Sequence, residues 1–118
     1  MDEFTPEELM EARRALISLR NKNDKASGKL KEGSWQLKMT TDIVKASDTA
    51  LRLIDGTNET KTDKNSLDES RVALLDALRR AKEIVGKFAV GTSQRTLQER
   101  RIRALEIAIS LIEKEQRL

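Results

Sequence analysis

Residues 91–112 read GTSQRTLQERRIRALEIAISLI, and this stretch decides the fold. From Ile102 onward the apolar residues Ile102, Ala104, Leu105, Ile107, Ala108, Ile109, Leu111 and Ile112 fall on more than one face of a helix. A helix that is apolar on most sides is buried on most sides. It is therefore expected at the centre of the fold or in a dimer interface. Thr92 or Ser93 can cap its start, because a short hydroxyl side chain accepts a hydrogen bond from a first-turn N–H that has no partner within the helix.

The stretch has a fainter copy upstream. One gap-free shift lays Gly91 on Gly33, Gln94 on Gln36, Ala104 on Ala46, Ala108 on Ala50, Leu111 on Leu53 and Ile112 on Ile54. The same shift pairs Gly86 with Gly28, Lys87 with Lys29, Leu74 with Leu16, Ala73 with Ala15, Arg71 with Arg13 and Leu67 with Leu9. The chain reads as one helix–loop–helix unit written twice, with repeat 1 over 5–54 and repeat 2 over 67–116. A unit of about 50 residues seldom supports a core alone. The two copies are expected to share one core, making residues 1–118 a single domain, or else to dimerise.

Each copy carries helical periodicity. Thr5-Pro6-Glu7-Glu8 reads as a capped start, with Thr5 as N-cap, proline at the first helical position and Glu8 where a capping-box carboxylate reaches back. Leu9, Ala12, Leu16 and Leu19 follow at helical spacing. After Leu19 the segment RNKNDKASGK, 20–29, has no large apolar residue, so either the helix stops near Arg20 or its last turns stand in solvent. Ser34 reads as the cap of a second helix whose stripe is Met39, Ile43, Ala46, Ala50 and Leu53, widened by Val44, Leu51 and Ile54. Ser66-Leu67-Asp68-Glu69 reads as another capping box, followed by Leu74, Leu78, Ala81, Val85 and Phe88. Between the copies, residues 55–66 (DGTNETKTDKNS) contain no large apolar side chain and read as a mobile linker. No alternating β-branched or aromatic run and no Asn-Gly hairpin occurs. The expected fold class is all-α: two tandem helical hairpins forming an antiparallel four-helix bundle-like domain.

Composition narrows function. There are no Cys, no His and no Tyr, which leaves no disulfide, no thiolate metal site and no imidazole base. No phosphate loop, Ser-x-x-Lys pair, His-Glu motif or EF-hand loop is present. Paired carboxylates for acid–base work or for two metals would have to sit on the apolar stripes. The stripes hold Leu, Ile, Ala and Val, and the nearest acid, Asp76 beside Leu75, reads as solvated. No catalytic residue, metal site or cofactor is expected, and the chain does not read as an enzyme. The acidic N-terminal segment MDEFTPEEL lacks an apolar run, and no window approaches the length of a membrane span. A cytoplasmic location and no membrane partner are the expectation.

The turns carry a resemblance. Gly91-Thr92-Ser93-Gln94 followed by Leu97, Ile102, Ala104, Leu105, Ile107, Ala108 and Ile112, and more faintly Gly33-Ser34-Trp35-Gln36 with Met39, Ala46 and Leu53, resemble a group of small, uncharacterised bacterial proteins, chiefly of Gram-positive organisms. Those proteins look like single helical hairpins with a Gly-[Ser/Thr]-x-Gln turn, so the resemblance implies a tandem version here. It implies no activity. Such turns often carry a His next, where Leu37 and Arg95 stand in this chain.

Net charge is only +3, but the cations are unevenly placed. An up-down-up-down bundle puts both hairpin turns at one end. That end would gather Lys38, Arg79, Arg80, Lys87, Arg95, Arg100 and Arg101 as candidates for binding an anion or an acidic partner. Cations at the ends of the first and third helices suit the helix dipole, whereas Lys38 and Arg95 in first turns oppose it. Helix N-termini with added cations form an anion site. The simpler account is a salt-bridged, solvated surface. Nucleic acid is possible on charge but finds no interleaved aromatics for stacking. Trp35, the only tryptophan, reads first as a plug over the end of the core and, alternatively, as an exposed anchor for a partner. The leading expectation is a non-catalytic helical module that binds another protein or self-associates, as a homodimer, through its last helix. The alternative is anion or nucleic-acid binding at the basic turns.

Overall fold

The computed structural model of the chain describes residues 4–56 and 63–118. Four helices follow in order, α1 (Pro6–Ser27), α2 (Trp35–Asp55), α3 (Lys64–Val85) and α4 (Ser93–Gln116), with no strand among the described residues. The all-α expectation of two helical hairpins holds.

The duplication reaches the element boundaries. The shift that aligns the sequences also superposes the starts of α1 and α3, the starts of α2 and α4, and the ends of α1 and α3. The N-caps Thr5, Ser34, Asp63 and Thr92 each accept from the backbone N–H three residues on. Thr5 and Glu8 form the reciprocal capping box, both bonds at 3.1 Å. Gly33 and Gly91 take the left-handed conformation just ahead of α2 and α4, with φ of 83° and 89°. A side chain at either position would be strained by its own backbone, so the two turns share one solution.

The structure settles one boundary that the sequence left open and moves another. α1 continues through the polar segment 20–27, with Asn23 Nδ2 donating to the Leu19 carbonyl at 2.9 Å. Its last turns stand in solvent. α3 starts at Lys64, earlier than the Ser66 cap suggests, because Asp63 accepts from Ser66 N–H at 2.7 Å. The expected linker is shortened at both ends, since Asp55 closes α2 and residues 64–66 belong to α3. Its centre, 57–62, lies outside the described residues.

One core joins the hairpins. Leu16, Leu74, Leu105, Ile107 and Ile112 are sealed within it. α4 contributes the longest buried run, so its apolar residues serve the monomer's own core. The helices form a ring in which α1 and α3 do not touch, whereas α2 and α4 meet across the diagonal. Those two helices carry Ala46, Ser47, Ala50, Ala104 and Ala108 at 2 % exposure or less, and small side chains permit close approach.

The hairpins do not run side by side along their full length. The Cα envelope is 40 × 38 × 19 Å, broad and thin, as two diverging layers would be. No residue from 17 to 39 or from 82 to 100 is buried. Turn halves that covered one another would bury apolar side chains, as the other halves do. The turn halves of both hairpins are thus less buried than the opposite halves.

Candidate functional site

α2 and α3 pack at Thr49 and Ser70, whose hydroxyls lie 3.5 Å apart, and diverge to either side of that contact. A groove of about 840 Å³ opens between them. Ile43 and Ala73 lie on its floor, and Trp35, Met39 and Val72 line its walls. Trp35 is 69 % exposed and Val72 is 56 % exposed. Trp35 is thus no plug over the core. It begins α2, one residue after the Ser34 cap, where that helix has left the core behind.

The groove's rim is charged and largely self-paired. Lys38 Nζ donates to Asp42 at 2.8 Å, and this bond raises the lysine pKa above its usual value. Glu69, across the groove, adds a smaller push in the same direction. Asp76 accepts from Arg79 at 2.8 Å and from Arg80 at 3.2 Å, so it is ion-paired, where the sequence suggested a solvated acid. Arg80 also points Nη1 at the Met39 sulfur, 2.6 Å away, tying α3 to α2. Asp48 is held from behind by Arg20 of α1, at 2.8 Å.

The seven candidate cations separate into four groups. Lys38, Arg79 and Arg80 are neutralised by the acids just named, with Glu83 adding a second partner for Arg79 at 2.9 Å. Those bonds raise the Arg79 pKa, Asp76 first and Glu83 next. Arg95 is structural: its guanidinium donates to the carbonyls of Val85 and Phe88, at 3.2 and 3.1 Å. It therefore serves the last carbonyl of α3 and one in the following turn while sitting at the start of α4, which resolves its apparent quarrel with the helix dipole. Lys87 and Arg100 are exposed and have no ion-pair partner among the described residues. Arg101 is different again, buried between α1 and α4 at 9 % exposure, with no acceptor for its Nε. Burial pushes its pKa down.

Lys38 and Arg80 border the α2–α3 groove, and Lys87 and Arg95 sit at the second turn. Sequence reasoning singled out Trp35 and Lys38 but missed Met39 and Val72 as walls of the same groove. Met39 counted as core and Val72 lies off the α3 stripe, so only the crossing of the helices brings them together. Among the described residues no three acidic side chains gather as metal ligands. No described helix is long and apolar enough to cross a membrane. No protein-family model, curated protein or solved structure matches the chain.

Proposed function

We propose that this chain is a non-catalytic helical protein–protein interaction module whose docking face is the α2–α3 groove. The observation that carries the reading is Trp35, a large aromatic left 69 % exposed at the mouth of that groove. Tryptophans that anchor interfaces sit where a partner can desolvate them fully, with near-neutral contacts around them excluding water. The α2 wall from Trp35 to Arg52 is about 25 Å long at 1.5 Å per residue. An amphipathic helix of another protein, presenting an apolar ridge between mixed charges, fits a slot of that length and lining. Pairing within the rim keeps Lys38, Asp42, Asp76 and Arg80 ordered and selects for a partner of matching charge pattern. α4, the other candidate interface, has its apolar residues occupied in the core, which favours a heterologous partner over self-association.

The test is photo-crosslinking from position 35 or 72, with position 90 as control. Val90 is apolar and 85 % exposed but lies in the second turn, away from the groove. Crosslinks to one partner from 35 and 72 but not from 90, with loss of the complex in Trp35→Ala at unchanged melting temperature, support the reading. Equal crosslinking from all three positions, or full binding by Trp35→Ala, refutes it.

A second reading, anion or nucleic-acid binding at the turns, draws on Lys87 and Arg100, which have no ion-pair partner among the described residues. It predicts binding of labelled nucleic acid that weakens steeply between about 50 and 200 mM salt. Absence of binding, or binding that salt does not weaken, counts against it.

A further inference from the structure

Lys45 and Arg52 on α2 and Glu69 on α3 line the groove, are exposed, and have no ion-pair partner among the described residues. The other charges of its lining are answered within the fold. Lys38 pairs with Asp42 and Asp76 with Arg80, while Asp48 and Asp68 are held by arginines outside the lining. Arg52 donates to the Thr49 hydroxyl at 3.3 Å, a neutral partner that leaves its charge uncompensated. Pairing within the rim thus leaves the α2 wall positive and the α3 wall negative.

The spacing of these residues is regular. Lys45 and Arg52 stand two helical turns apart, about 10 Å along α2. Thr49 lies between them, and its hydroxyl meets that of Ser70 at 3.5 Å. Glu69, the residue before Ser70, is thereby set on the facing wall at a level between the two cations. No ion pair among the described residues joins it to either of them.

Taking the groove as the docking face proposed above, we infer that its occupant is a helix of another protein whose charges are segregated, with acids along one flank of its apolar ridge and bases along the other. Acids two turns apart meet Lys45 and Arg52, and a base on the opposite flank meets Glu69. Where a helix lies along two others, the positions beside its apolar ridge face those helices, and their charges set partner and orientation. Turning the helix end for end exchanges its flanks, which brings like charges together on both walls. The two walls therefore select the direction of the bound helix as well as its charge pattern. Such charges supply selectivity more than affinity, and the apolar floor and Trp35 supply the hold.

The probes are two synthetic helical peptides of about 18 residues, long enough to follow the α2 wall. Both carry a leucine ridge and a nitroxide at the N-terminus. One has Glu along the first flank and Lys along the second, and the other has the two exchanged. Trp35, the only tryptophan, begins α2 and so reports from one end of the groove. Both peptides are expected to bind the full chain, in opposite directions, each with a preference of about tenfold. The nitroxide then quenches Trp35 from one peptide and spares it from the other. The combined variant Lys45→Glu, Arg52→Glu, Glu69→Lys exchanges the walls and reverses which peptide quenches, whereas Lys87→Glu at the second turn does not. Should the combined variant melt early, Glu69→Gln alone decides, by narrowing the contrast between the peptides. Equal quenching by both peptides, or an order that the exchanged walls leave unchanged, overturns the inference while binding itself upholds the groove. Binding by neither peptide overturns it as well, and the crosslinks from positions 35 and 72 then judge the groove separately. A parent chain that sediments as a dimer, and that Trp35→Ala dissociates, makes the occupant a second copy and overturns the choice of another protein.

Discussion

Arg95 stands in the first turn of α4, where its charge opposes the helix dipole, yet its guanidinium is spent on the last carbonyl of α3 and the Phe88 carbonyl of the turn that follows. Which helix end adjoins which is a tertiary fact, so the sequence flagged the residue without disclosing its role. Arg95→Ala should cost about 1–3 kcal/mol in urea unfolding, the worth of charge-assisted hydrogen bonds. Arg95→Lys should recover little of it, since a point charge lacks the fork that reaches two carbonyls. Glu8 is the complementary case and was legible, because a capping box is written within four residues. Its carboxyl pKa is lowered, chiefly by the bond from Arg103 at 2.7 Å and then by Thr5 N–H. A carboxyl depressed by folding stabilises above its unfolded pKa and loses that contribution as pH falls through its folded pKa. Glu8→Gln should therefore flatten the acid side of the stability–pH curve and leave the alkaline side as it was, as read by melting temperature across pH.

At the scale of elements, the readable parts were those with apolar periodicity. The sealed run of α4 and the stripes of α2 and α3 follow from spacing alone. The polar end of α1 was not readable, because nothing apolar marks a face there. Helix propensity, together with the hairpin partner that holds Arg20 through Asp48, carries it on to Ser27. The start of α3 was misplaced since Ser66 also suits an N-cap, and Asp63 wins by accepting the bond itself. Small polar residues in the core were overlooked for the same reason of pattern. Ser47 is fully buried, its hydroxyl has no partner among the described residues, and its counterpart in the second copy is Leu105. Ser47→Ala should be neutral or stabilise by up to about 1 kcal/mol, because it removes an unsatisfied polar group. Ser47→Leu, which would restore the symmetry of the repeat, should instead destabilise by about 1–3 kcal/mol by forcing extra volume between packed helices. Denaturant midpoints of the two variants moving in the same direction would contradict this account of the packing.

At the scale of the molecule, the duplication was visible in the sequence but the angle between the copies was not. Heptad-like spacing says which face is buried and nothing about how two hairpins cross. That single unknown turned Trp35 into a plug. The observed packing opens a groove between α2 and α3 with an apolar floor and a rim whose charges are largely paired. The matching boundaries of the two copies carry a further consequence for connectivity. Both hairpins are closed locally by their own turns, and the core is indifferent to which is translated first. A rearranged gene that places residues 63–116 ahead of 5–56, joined by the same intervening segment, should yield a protein with the parent's helical circular dichroism and a cooperative melt. The order of the halves would then be an accident of ancestry that the physics of folding does not require.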